Sequence, residues 1–205
     1  TDVVEFVETQ LHWADAVVAG PGISQSDLSE RMLYELLKRI QVPCLCDADA
    51  LNLLSKHPDW WKLVQSPLVI TPHLGEMARL TGRPITEIRD RLVQTAQEFA
   101  MEHQITVVLK DARTITAQPD GQSYINVSGN HGMATAGAGD VLSGVVGALL
   151  AQKLDIYLAA ALGVFIHGLA GDAAAERVGH CAMMASDIVD GLMDVLRKQE
   201  DTKRQ

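Results

Sequence analysis

Four short runs that stay apolar without polar alternation constrain this chain most: Ala14–Ala19, Pro43–Asp47, Pro67–Thr71 and Ile105–Lys110. A strand that is apolar along its whole length is buried on both faces, as happens in a parallel sheet sandwiched by helices. The segments between the runs have helical period. Leu28, Met32, Leu33, Leu36, Leu37 and Ile40 recur at helical spacing behind Ser24 and Ser26, either of which can cap a helix. Further helices are expected from Asp2 to about His12, around Leu51–Leu54, and from Thr86 to Glu102. Thr114–Ala117 and Ser123–Val127, joined across Pro119-Asp120-Gly121, read as an antiparallel hairpin. After Asp140 the pattern is almost all helix, over about 140–152, 155–177 and 186–199, before a polar tail, Asp201–Gln205. Repeated strand–helix units of this kind predict an α/β fold with a mainly parallel central sheet and a small antiparallel hairpin.

At 205 residues, 47% of them hydrophobic, the chain can build the core of one such domain. A net charge of −9 with no local basic patch argues against a nucleic-acid partner. Small phosphorylated ligands stay open, because backbone amides hold phosphate without net positive charge. The longest apolar stretches are interrupted by Gly, His or Asp before the ~18 residues of a membrane span, so no membrane partner is expected. Cys44, Cys46 and Cys181 are odd in number and lack CxxC spacing, which predicts buried thiols in a reducing cytoplasm.

Parallel sheets collect ligands beyond the carboxyl ends of their strands. In this sequence those positions hold Gly20-Pro21-Gly22, Asp47-Ala48-Asp49, Thr71-Pro72-His73-Leu74-Gly75-Glu76 and Lys110-Asp111-Ala112-Arg113-Thr114. To them is added a glycine-rich loop from Ser128 through Asp140. Within it, Gly137-Ala138-Gly139-Asp140 opens a helix, so backbone N–H groups and the helix dipole can meet a phosphoryl group while Asp140 takes a proton from an attacking hydroxyl. Two other motifs fail here: a dinucleotide GxGxxG meets Leu142, and a Walker loop meets Val145 where Lys is required.

Every one of these positions also has a purely structural reading. Asp140 can be an ordinary N-cap, Lys110 a solvated strand end, and His73 a loop histidine fixed by Pro72 and Gly75. Asp47 and Asp49 can hold Mg2+ through water, or Asp49 can cap the next helix. His167, in an apolar helix, reads as a satisfied core histidine, and Trp60-Trp61 as core or interface.

Taken in order, Thr71–Glu76, Lys110–Thr114, Pro119–Gly121 and Gly129-Asn130-His131-Gly132-Met133-Ala134-Thr135-Ala136-Gly137-Ala138-Gly139-Asp140-Val141-Leu142 resemble the ADP/ATP-dependent NAD(P)H-hydrate dehydratases. In bacteria this is commonly the C-terminal domain of a bifunctional NAD(P)H-hydrate repair enzyme. The resemblance spans about Trp13 to Ala185, and it implies a ribokinase-like three-layer α/β/α sandwich. It implies phosphorylation of the ring hydroxyl of the (S)-hydrate of NADH or NADPH, then phosphate elimination, with AMP and phosphate released when ADP is used. On this pattern Asp140 activates the hydroxyl and the amides of Gly137, Ala138 and Gly139 stabilise the phosphoryl group. Lys110, Asp111, Ala112, Arg113, Thr114 and Gly139 bind the AMP portion, while Gly22, His73 and Asp140 contact the hydrated dinucleotide. Mg2+, ADP or ATP as co-substrate and a homo-oligomeric state, a tetramer favoured, complete the implied picture.

The chain departs from the family pattern in three places. Asp111 replaces a glycine after the lysine, and His131 replaces a proline in the Gly-Asn-Pro-Gly turn. The family's additional strands, a Gly-Gly loop and a substrate-contacting alanine precede the matching region. The chain is therefore expected to be a dehydratase domain over residues 1–205 without those strands or the upstream epimerase domain. Two other readings compete: a ribokinase-like kinase acting on a vitamin-precursor alcohol, and a non-catalytic nucleotide-binding module.

Overall fold

The computed structural model describes residues 2–203. The apolar runs pair as β1 (Val17–Ala19), β2 (Cys44–Cys46), β3 (Leu68–Ile70) and β4 (Thr106–Leu109), all parallel and in chain order. The hairpin β5 (Ile115–Ala117) and β6 (Ser123–Ile125) extends the sheet antiparallel to β4. The strand cores are shorter than the apolar runs, because the flanking residues already turn towards helices.

Burial on both faces is visible residue by residue. Cys44, Cys46, Leu68, Ile70, Val107 and Leu109 face one layer, and Leu45, Val69 and Val108 face the other. This is the two-residue alternation of a strand; it also places both strand cysteines in one core, as expected. The first layer contains α2 (Asp27–Arg39), α3 (Asp49–Lys56), α4 (Leu74–Thr81) and α6 (Leu92–His103), which contribute Leu33, Leu37, Leu51, Leu54, Met77 and Phe99. Each such side chain, fully buried, contributes about 1.5–3 kcal/mol. The second layer is α7 (Ala138–Ala151) and α8 (Ile156–Val178), backed by α9 (Ala185–Lys203). The architecture is the expected three-layer α/β/α sandwich with a mainly parallel sheet and one hairpin. α1 (Val3–Leu11) packs on α2, outside the sheet.

Five sequence expectations change. Thr71–Glu76 is not a plain turn: it runs into α4, whose start is signalled by a histidine instead of the usual Ser, Thr, Asp or Asn. The helix expected over Thr86–Glu102 is two, α5 (Ile85–Asp90) and α6, parted by the non-helical backbone of Arg91. Cys181 is exposed, not buried, because it lies in the loop between α8 and α9. The tail expected at Asp201–Gln205 is helix through Lys203, with Arg204 and Gln205 outside the described residues. Finally, α8 does reach the length and hydropathy of a membrane span, since its many alanines and glycines keep the 23-residue helix free of charge over most of its length. It is nonetheless packed against α7, α9 and strands β3 to β5, as a core helix is.

Candidate active site

The carboxyl ends of β1 to β4 and the N-terminus of α7 meet at one edge of the sheet. Gly20, directly after β1, has φ +128°, and a side chain there would collide with the carbonyl of Asp47. Glycine is required for the β1 loop to cross the end of β2. Gly22 follows at φ +71° with open space around it.

Asp47 and Asp49 diverge. Asp47 is 1% exposed, and its Oδ1 accepts from Lys110 Nζ at 2.8 Å while its Oδ2 accepts from Ser143 Oγ at 2.8 Å. Asp49 accepts from the Ser24 amide at 3.0 Å and from Gln25 Nε2 at 3.2 Å, tying the β1 loop to α3. It is not the helix cap; Ala48 holds that position without a side-chain bond. With both carboxylates committed to separate partners, the pair does not fit the Mg2+ site expected of it. Among the described residues no three His, Cys, Asp or Glu side chains gather around a possible metal position.

His73 is the N-cap of α4. Its Nδ1 accepts from the amides of Gly75 at 2.9 Å and Glu76 at 3.3 Å, and Glu76 Oε2 accepts from the His73 amide at 2.8 Å. The result is a reciprocal capping box. A nitrogen that accepts two N–H groups carries no proton, so the neutral ring holds its hydrogen on Nε2. Burial lowers the His73 pKa, and the Lys110 and Arg79 cations lower it further. Glu76 is itself buried, which raises its carboxyl pKa against the opposing pull of the His73 amide. The sheet reaches one step beyond β3 and β4, where His73 and Lys110 lie side by side and the Lys110 amide donates to Pro72 O at 2.8 Å. Beyond Lys110, residues Asp111, Ala112 and Arg113 are exposed and Thr114 is half-buried, its hydroxyl 3.4 Å from Asp111 O.

The start of α7 is built differently. Gly137 is its N-cap, left-handed at φ +85°, and supplies no side chain to the helix amides. The Ala138 amide donates to Thr135 O at 3.3 Å and that of Val141 to Gly137 O at 3.1 Å. Among the described residues, the amides of Gly139 and Asp140 find no acceptor. Asp140 is exposed and its carboxylate accepts no hydrogen bond from the described residues, so it is not a cap. Lys110 approaches this mouth closely: its Nζ is 3.4 Å from where a Cβ of residue 139 would sit.

The preceding loop is clamped by a residue the sequence did not single out. Asp172 in α8 accepts from the Gly129 amide and from Asn130 Nδ2, both at 2.9 Å. Asn130 Oδ1 accepts from the Gly132 amide and faces His180 Nδ1, each at 3.0 Å, so His180 carries its proton on Nδ1. His131, in place of the proline, stacks on His180 with ring centroids 4.4 Å apart. Ser143 was likewise missed; nothing near either residue in sequence marks it. His167 is buried as expected of a core histidine, but among the described residues its Nε2 has no hydrogen-bond partner, so the ring is only partly satisfied. Burial pushes its pKa down to about 4, against an upward pull from the Ala138 backbone.

A family model described as NAD(P)H-hydrate dehydratase matches residues 3–193. The chain belongs to this family. Among its relatives, the bifunctional NAD(P)H-hydrate repair enzyme of Moorella thermoacetica is 46% identical over 98% of the chain and 38% of its own length. The ADP-dependent (S)-NAD(P)H-hydrate dehydratase of Neisseria meningitidis is 35% identical over 91% of the chain and 67% of its own. A solved ADP/ATP-dependent NAD(P)H-hydrate dehydratase from Bacillus subtilis, co-crystallised with ATP/Mg2+ and soaked with CoA, superposes with TM-score 0.80 at 30% identity, covering 90% of this chain and 66% of that one. The chain thus spans little more than a third of its bifunctional dehydratase relative. Of the residues matched to the dehydratase motifs, the fold brings His73, Lys110, Gly139 and Asp140 to one sheet edge.

Proposed function

We propose that the protein carries out ADP-dependent dehydration of the (S)-hydrate of NADH or NADPH. The observation that carries this reading is the uncapped mouth of α7, where among the described residues the amides of Gly139 and Asp140 and the Asp140 carboxylate have no partner, with the anchored Lys110 ammonium close by. Anions are stabilised at such a mouth by the helix dipole and by open N–H donors. An amine on one flank and a carboxylate on the other suit phosphoryl transfer to an alcohol.

In the proposed reaction, Asp140 accepts the proton of the ring hydroxyl, and the freed oxygen attacks the terminal phosphorus of the nucleotide. The bridging P–O bond breaks and AMP leaves when ADP is the donor. The hydroxyl, a poor leaving group, is now a phosphate ester; the ring nitrogen's lone pair expels phosphate and loss of a neighbouring ring proton restores the double bond. The open amides at the start of α7 and Lys110 hold the transferring group, with Asp111–Thr114 along the AMP portion. His73, kept neutral with hydrogen on Nε2, turns from its 3.4 Å contact with Glu76 Oε1 to donate to the dinucleotide next to Gly22. Mg2+ accompanies the nucleotide on its own phosphates, and no residue of this chain is assigned to it. The same reading places the protein in the cytoplasm as a homo-oligomer, a tetramer favoured, with an epimerase domain as the partner in the parent chain.

One assay tests it: the protein is mixed with ADP, Mg2+ and NADH hydrate, and the absorbance of reduced nicotinamide is followed. Recovery of absorbance with release of AMP is expected. A stable phosphoester product would instead establish the alcohol kinase, and binding without turnover the non-catalytic module.

A further inference from the structure

We propose that Asp47 is a positioning residue that acts on the nucleotide through Lys110, with Ser143 fixing its register, and that it is not a metal ligand. This rests on the nucleotide reading above. The three side chains come from distant parts of the chain, 63 residues separating Asp47 from Lys110 and 96 separating it from Ser143. They join the ends of β2 and β4 to α7, one turn beyond Asp140.

The electrostatics of the mouth require such a device. The first turn of a helix carries partial positive charge and repels a cation. Yet Lys110 Nζ lies against the first turn of α7, 3.4 Å from the Cβ position of residue 139, and its side chain is only 20% exposed. Left alone, a flexible four-carbon stem would carry the ammonium out to water. Asp47 holds it in place. The carboxylate is buried, bonded to the ammonium at 2.8 Å, and lies 3.8 Å from the same Cβ position at Gly139. A lysine ammonium has three donors; with one on Asp47, two remain for an arriving phosphate.

Two features aim the carboxylate. Ser143 Oγ donates to its second oxygen at 2.8 Å, so the carboxylate cannot rotate freely. The next residue, Ala48, is held at φ +49° although it is not glycine. Backbone strain of this kind persists where surrounding structure imposes it, and functional sites are its usual location. Holding a charged pair in place is a better explanation of such a buried contact than a gain in stability.

The experiment is a titration of the folded protein with ADP, with and without Mg2+, followed by calorimetry. The variants are Asp47→Asn, Ser143→Ala, Lys110→Met and the Asp47→Asn/Lys110→Met double. Lys110→Met is expected to weaken ADP binding on the order of tenfold or more, and Asp47→Asn nearly as much, as losses of charge-assisted contacts do. Ser143→Ala should weaken it by roughly two- to fivefold, the scale of one neutral hydrogen bond. The double variant should bind no worse than Lys110→Met alone, and the Mg2+ concentration for half-maximal enhancement should not move. Additive losses in the double variant, or a shift in Mg2+ dependence confined to Asp47→Asn, would overturn the inference. So would ADP binding unchanged in both Asp47→Asn and Ser143→Ala. Ser143→Ala keeps the test decisive should Asp47→Asn fail to fold, since alanine is favoured in helices. Absence of ADP binding by the unaltered protein would defeat the nucleotide reading itself, and the inference with it.

Discussion

Two helices begin at the same edge of the sheet and end their first turns in opposite ways. α4 is closed: His73 and Glu76 occupy its leading amides and each other. α7 is open: a left-handed glycine caps it without a side chain, and two amides of its first turn have no acceptor among the described residues. An unsatisfied helix end normally acquires a cap or water. One helix is sealed by side chains and its neighbour is left bare, and the proposed function puts the transferring phosphoryl group at the bare one. In the same proposal the sealed one presents the far nitrogen of its capping ring, Nε2, which lies 3.4 Å from Glu76 Oε1.

The largest effect should come from the carboxylate at the open mouth. Asp140→Asn is expected to lower turnover about a thousandfold, within the range for losing a general base, while the ADP dissociation constant stays within about twofold. Single-turnover rates and calorimetric titration check the two halves separately; undiminished turnover would remove Asp140 from its role.

The next effect concerns the histidine behind that mouth. With its folded pKa near 4, His167 is kept neutral, while in the unfolded chain it takes up a proton near pH 6.5. Stability from this group is therefore present above about pH 6.5 and is lost as pH falls towards 4, by about 3 kcal/mol in all. His167→Leu should flatten the dependence of melting temperature on pH across that window. An unchanged slope would assign the acid loss to other groups.

Closing in on the caps themselves, Gly137→Ala should destabilise the protein by about 1–2 kcal/mol, because alanine resists the left-handed backbone. Its methyl would also stand 3.1 Å from Ala185 Cβ. Denaturant unfolding measures this. The smallest effect is at the closed end: His73→Ala should cost about 1 kcal/mol as a lost cap, and His73→Asn should restore most of that stability without restoring turnover. Equal turnover in the asparagine variant would reduce His73 to a cap alone.

The layers of the fold were legible because strand burial leaves a local mark: Cys44-Leu45-Cys46 and Leu68-Val69-Ile70 are apolar at every position. The glycine-rich start of α7 was legible for the same reason, its residues being contiguous. What the sequence hid was long-range. Asp47 pairs with Lys110 and Ser143, and Asp172 clamps Gly129 and Asn130; no spacing rule links residues so far apart. Asp47 and its near neighbour Asp49 look like a pair in the sequence, yet in the fold they accept from different donors. α4 was missed because histidine is an unusual cap, and the unpartnered Nε2 of His167 cannot be inferred from an apolar helix pattern.

The order of strands along the chain has a mechanical consequence. All six are laid down in sequence, so everything up to the hairpin supplies the sheet and one helical layer, and everything after it supplies the other. The proposed reacting edge is consequently a seam between an early and a late portion of the polypeptide. If the proposed nucleotide lodges in that seam, it joins the two portions as a clasp, and thermal unfolding with and without ADP would show them held together more firmly when it is present.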